Sequence, residues 1–124
     1  MTEVLLIGFA GAFGAISRYG LQYAVAHVLG RPTILGTMAV NLSGCFVIGL
    51  VMALALDRHL ISNSTRLVLV VGFLGAYTTF SSLMFDSVHS IETSDLPLAA
   101  ANLGFSAVLG LCLTYAGLVA GRSL

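Results

Sequence analysis

Lysine and tryptophan are absent from these 124 residues, and charge of either sign is scarce. Ten side chains are formally charged: Glu3, Arg18, Arg31, Asp57, Arg58, Arg66, Asp86, Glu92, Asp95 and Arg122. With 58% hydrophobic residues and a mean hydropathy of +1.03, so few charges cannot clothe a soluble domain. Nucleotide-binding loops, low-complexity tracts and charge runs are missing too, which leaves no sign of an ATP-driven pump or a nucleic-acid partner. The two cysteines, Cys45 and Cys112, sit deep in apolar stretches, where small packing residues are expected and a disulfide is not. His27, His59 and His89 share no metal-ligand spacing. The N-terminus lacks a basic leader region, so the first apolar stretch is expected to be a retained helix.

What the chain has in abundance is uncharged sequence. Residues 32–56, 67–85 and 96–121 carry no charge, and 4–29 is interrupted only by Arg18. About 20 apolar residues cross a hydrocarbon core as a helix. The expectation is an all-α membrane protein of a single transmembrane domain, residues 1–124, with helices at about 4–29, 34–56, 66–90 and 96–120. Pro32 falls in the first connection. Pro97 falls at the start of the fourth helix, after the candidate caps Ser94 and Asp95. Ser62 to Thr65 offer caps for the third. Short connections make sequential helices antiparallel neighbours. Glycines recur at small-xxx-small spacing, which lets helix backbones approach closely. Three arginines (58, 66 and 122) lie on one side and Arg31 on the other, so orientation is weakly encoded. Four helices make thin walls for a pore, so a homodimer is expected. Opposite insertion of its copies would make it an inverted repeat.

The third span carries the sharpest signal. Gly75-Ala76-Tyr77-Thr78-Thr79 is a poor continuous helix, and carbonyls freed in hydrocarbon need a partner, an ion being the obvious one. Arg18, about 16 Å inside the first span, must face water, a partner or an anion. Asn41, Phe80-Ser81-Ser82, Asn102 and Ser106 fall in the same half of the bilayer. Asn102, Ser106, Gly110 and Thr114 recur every four residues along one stripe. No carboxylate lies midway along a span. Donors without carboxylates suit an anion rather than a cation or a proton-coupled substrate.

Three motifs in order, Gly11-Ala12-Phe13-Gly14-Ala15-Ile16-Ser17-Arg18-Tyr19, then Gly36-Thr37-Met38-Ala39-Val40-Asn41-Leu42-Ser43-Gly44-Cys45-Phe46, then Gly72-Phe73-Leu74-Gly75-Ala76-Tyr77-Thr78-Thr79-Phe80-Ser81, resemble those of the Fluc (CrcB-type) fluoride channels over nearly the whole chain. The resemblance implies a non-enzymatic, passive pore that lets cytoplasmic fluoride leave across the bacterial inner membrane. It implies an antiparallel, dual-topology homodimer with two pores and a third helix broken near its middle. A structural Na⁺ at the dimer centre would be held by the carbonyls of Gly75 and Thr78 of both subunits. Phe80 corresponds to the first of two pore phenylalanines, Asn41 to a pore-lining asparagine, Arg18 to a vestibule arginine, and Ser106 and Thr114 to a hydroxyl track. Leu83 stands at the second pore phenylalanine, Ser82 at a threonine, Asp86 at a glutamate and Asn102 at a tyrosine. Two other classes stay open: a small multidrug-type exporter, which needs a carboxylate in the first span where Arg18 stands, and a non-conducting membrane subunit.

Overall fold

A chain that must satisfy its backbone inside hydrocarbon has few options besides helices, and the computed structural model consists of helices joined by short connections. It describes residues 1–31 and 33–124; Pro32, expected in the first connection, lies outside the described residues. Helix α1 is Thr2–Leu29. Gly30 ends it at φ 69°, the left-handed conformation that glycine adopts without strain, and its N–H reaches the last carbonyls. Helix α2 is Ile34–Asp57, with Thr33 accepting from the Leu35 amide at 3.4 Å. Its last turn, Ala53–Asp57, widens to i→i+5 bonding.

The third span divides in two. Helix α3 covers 63–77 and starts where the Ser62 hydroxyl accepts from the Thr65 amide at 3.1 Å. Its middle, Val68–Leu74, is π-helical. Helix α4 is Phe80–Glu92. Between them Thr78 (φ −79°, ψ 157°) and Thr79 (φ −148°, ψ 108°) are extended. The two pieces remain one membrane-length segment, Asn63–Glu92, with only a mild bend. Gly75 to Tyr77, expected to be part of the weak stretch, stay helical; the interruption is confined to the two threonines. Helix α5 is Leu96–Ser123, capped by Asp95 Oδ1 accepting from the Leu98 amide at 3.1 Å, with Pro97 in its first turn.

All four spans have the length and apolarity to cross a membrane. Their packing is inside-out relative to a soluble bundle. Large apolar side chains such as Leu5, Phe9, Phe13, Phe105, Leu111 and Tyr115 face outward, while glycines line the helix contacts. Helix α2 packs most extensively on α5, and α1 on α3. A Cβ added at Gly49 would strike the Thr114 carbonyl, and one at Gly117 the Phe46 carbonyl. On the other seam, a Cβ at Gly14 would strike the Phe73 carbonyl, and one at Gly72 would lie 2.8 Å from the Ile7 carbonyl. Without a hydrophobic drive between helices in lipid, such backbone proximity is what association rests on. The α3–α4 interruption is held against α2 between these two seams.

Candidate functional site: a broken helix clasped by an asparagine

In a continuous helix the Thr79 amide would donate to the Gly75 carbonyl. Here it donates instead to Asn41 Oδ1, at 2.7 Å. The same asparagine returns a bond, Nδ2 donating to the Thr79 carbonyl at 2.9 Å. One side-chain amide thus satisfies both backbone groups of one extended residue, much as a neighbouring strand would. This is why a break can persist at membrane depth. Thr78 uses both its amide and its hydroxyl on the Leu74 carbonyl, each at 3.0 Å, and so closes α3. Thr79 Oγ1 accepts from the Ser82 amide at 3.2 Å and so opens α4. Tyr77 stacks on Phe73, and its hydroxyl meets Ser43 Oγ at 2.8 Å. Gly44 lies so close to Thr78 that a Cβ there would meet the Thr78 methyl. The break is therefore fitted to α2 by hydrogen bonds and by contact.

Beside it opens a largely apolar cavity of about 640 Å³, bounded by α2, α3, α4 and α5. Of the residues singled out in the sequence, Asn41, Gly75, Thr78, Phe80, Leu83 and Ser106 line it. Phe80 is 73% exposed and Leu83 half-buried. Ser81 and Ser82 do not join them. They line a second hollow of about 400 Å³ with Gln22, Thr37, Phe85 and Asp86. Asn102 lines neither: it is 1% exposed and donates to Ser87 Oγ at 3.0 Å. Thr114 sits at the α2–α5 seam, where its carbonyl meets Gly49. Arg18 is half-buried on α1, and among the described residues no ion pair or hydrogen bond reaches its side chain.

The Gly75 carbonyl loses its helical donor because the Thr79 amide is engaged by Asn41. Gly75 is exposed on the chain surface, beside Thr78 at the mouth of the cavity. Hard oxygen donors with no side-chain charge fit a Na⁺, and among the described residues no group of three or more His, Cys, Asp or Glu offers a rival metal site.

Thr79 and Tyr77 were read only as part of the weak helical stretch, not for their side-chain bonds, and Ser43, Ser87 and the Gln22–Thr37 pair, whose side chains meet at 3.4 Å, were given no role in the sequence reading. Gln22 carried a legible signal, being the one amide in the first span and one turn beyond Arg18. Ser43 and Ser87 carried none, since a serine that bonds the carbonyl four residues back looks the same in sequence.

Comparison with known proteins adds the lineage. Residues 5–118 match the family described as "CrcB-like protein, Camphor Resistance (CrcB)". A protein of Solidesulfovibrio magneticus named "Fluoride-specific ion channel FluC" is 44% identical over 116 residues, covering 94% of this chain and 93% of its own. Proteins of the same name from Geobacter sulfurreducens and Geotalea uraniireducens are 41% and 40% identical, each over 100% of both chains. With the match running almost from end to end, this chain belongs to the CrcB family.

Proposed function

We propose that the chain is a passive fluoride channel, working as an antiparallel homodimer with two pores that release cytoplasmic fluoride. One observation carries this reading: full-length relatives at about two-fifths identity bear the name of a fluoride-specific ion channel, a class of protein that conducts rather than catalyses. The site chemistry supports it. The cavity beside the break is largely apolar; Phe80, whose ring edge carries partial positive charge and can face an anion, lines it, and the Ser106 hydroxyl at its border has no protein partner. No carboxylate lines it. Fluoride is small and strongly hydrated, so a pore must replace its water with hydrogen-bond donors. Hydrogen fluoride crosses bilayers as a neutral acid and ionises at cytoplasmic pH, and a negative membrane potential then drives the anion out through any selective pore.

A physical requirement supports the dimer. A backbone carbonyl without a donor is tolerated at membrane depth only when protein or a water-filled cavity covers it, yet Gly75, whose carbonyl has lost its helical donor, is exposed on a single chain together with Phe80 and Ser81 at the start of α4. A second copy, inserted oppositely, would cover them. The Gly75 and Thr78 carbonyls of both copies would then supply four oxygens to a structural Na⁺. The experiment is fluoride efflux from liposomes holding only this purified protein. Rapid fluoride loss with chloride retained supports the reading, and no fluoride flux from well-folded protein refutes it.

A further inference from the structure

We propose that Asn102 and Ser106 hold a buried water molecule at the α4–α5 contact, and that this water presents a hydrogen to the ion cavity. The role in conduction rests on the channel reading above; the water site itself does not. The argument begins with Ser87. Its hydroxyl donates to the Leu83 carbonyl at 2.8 Å, so its one hydrogen is used. Whatever else meets Ser87 Oγ must donate, and Asn102 does so through Nδ2 at 3.0 Å. This fixes which way round the Asn102 amide lies. Its oxygen, Oδ1, is turned away from Ser87, fully buried and without a protein partner.

Ser106 stands one turn further along α5, on the same face as Asn102. Its Oγ is likewise buried and unpartnered, and has not taken the usual bond to the carbonyl four residues back. Two orphaned polar atoms on neighbouring turns is a costly arrangement in hydrocarbon. Side chains at i and i+4 are neighbours on a helix face, about 5–6 Å apart at Cβ, which puts their polar atoms within the reach of one bridging water. Ser106 borders the cavity of about 640 Å³, which gives water a route to this contact. The hydrogens balance. Asn102 Oδ1 is acceptor-only and takes one hydrogen of the water. The water oxygen accepts from the Ser106 hydroxyl. The second water hydrogen then points to the cavity, beside Phe80 and Leu83. Asn102, which lines no cavity, reaches the pathway through this molecule, and an acceptor oxygen that would repel an anion becomes the anchor of a donor.

The test is water-edited solid-state NMR on the full-length protein in liposomes, with the asparagine side-chain amides observed. Magnetisation should pass from a long-lived water to the Asn102 amide in the unaltered protein. Ser106→Ala should abolish that transfer while the Asn102 amide resonance, held by Ser87, stays in place; Ser106→Thr, which keeps the hydroxyl, should retain it. Fluoride efflux through Ser106→Ala should fall about three- to ten-fold, the scale of one lost hydrogen bond. Absence of transfer in the unaltered protein, transfer that survives Ser106→Ala, or unchanged efflux after its loss would each overturn the proposal. An unaltered protein that shows the transfer yet conducts no fluoride would refute the channel reading instead.

Discussion

Replacing Asn41 by leucine keeps the γ-branched shape and removes the clasp. Two bonds disappear, at 2.7 and 2.9 Å, and the Thr79 N–H and C=O lose their partners together. Side-chain hydrogen bonds between membrane helices are worth about 0.6 kcal/mol each on average, which sets a floor near 1 kcal/mol if the freed groups find substitutes. Thr79 is only 6% exposed, so substitutes are few. A buried unpaired group costs about 1–3 kcal/mol, so the expected loss is then about 2–6 kcal/mol for the pair. Asn41→Asp separates the two bonds. A carboxylate still accepts from the Thr79 amide but faces the Thr79 carbonyl with no hydrogen to give, and it brings negative charge to the cavity wall. Thermal unfolding in detergent should fall by several degrees in Asn41→Leu, and the Thr79 amide should exchange its hydrogen faster. Fluoride efflux should drop in both variants, more steeply in Asn41→Asp. If Asn41→Leu melts with the unaltered protein and the Thr79 amide exchanges no faster, the clasp does not hold the break, and the reasoning is wrong.

How much of this was legible in the sequence depends on how local each cause is. The four spans were legible because hydrocarbon leaves the composition no freedom, and four helical segments of membrane length are found among the described residues. The Ser62 and Asp95 caps were legible because an N-cap is chemistry over three residues. The weakness of the third span was legible from Gly75 to Thr79, but its exact extent was not. Three of those residues stay helical, since Thr78 can turn both donors on Leu74 and the long-range bonds from Asn41 fall only on Thr79. No pattern within one helix announces a partner 38 positions away. The π-helical stretch at Val68–Leu74 was equally silent, because apolar β-branched residues read alike at i→i+4 and i→i+5. Asn102 illustrates the opposite limit: spacing along α5 suggests a polar stripe, but the stripe does not tell that its amide is spent on Ser87. Glycine spacing foretold close packing at Gly14, Gly49, Gly72 and Gly117, yet Gly8, Gly20 and Gly104 meet nothing within 4 Å of a new Cβ.

That contrast gives a paired prediction: Gly49→Ala should cost about 1–3 kcal/mol by forcing α2 from the α5 backbone, whereas Gly20→Ala, with open space around it, should leave the melting temperature unchanged or raise it. Tags at the C-terminus should be found on both sides of the membrane in comparable amounts, and a single orientation in cells would sink the antiparallel dimer. Exhaustive removal of Na⁺ should weaken the dimer and slow fluoride efflux, because a ligand bound only by the assembled form stabilises it; indifference of both to Na⁺ would remove the ion from the site. Leu83→Phe should speed efflux with little change in fluoride-over-chloride preference, since residue 83 lines the cavity with Phe80 three positions before it and a ring edge would replace methyl groups that have no comparable quadrupole. Phe85 cannot already serve, because it faces the other hollow and stacks on His89, so unchanged or slower flux in Leu83→Phe would place residue 83 outside the rate-limiting part of the path.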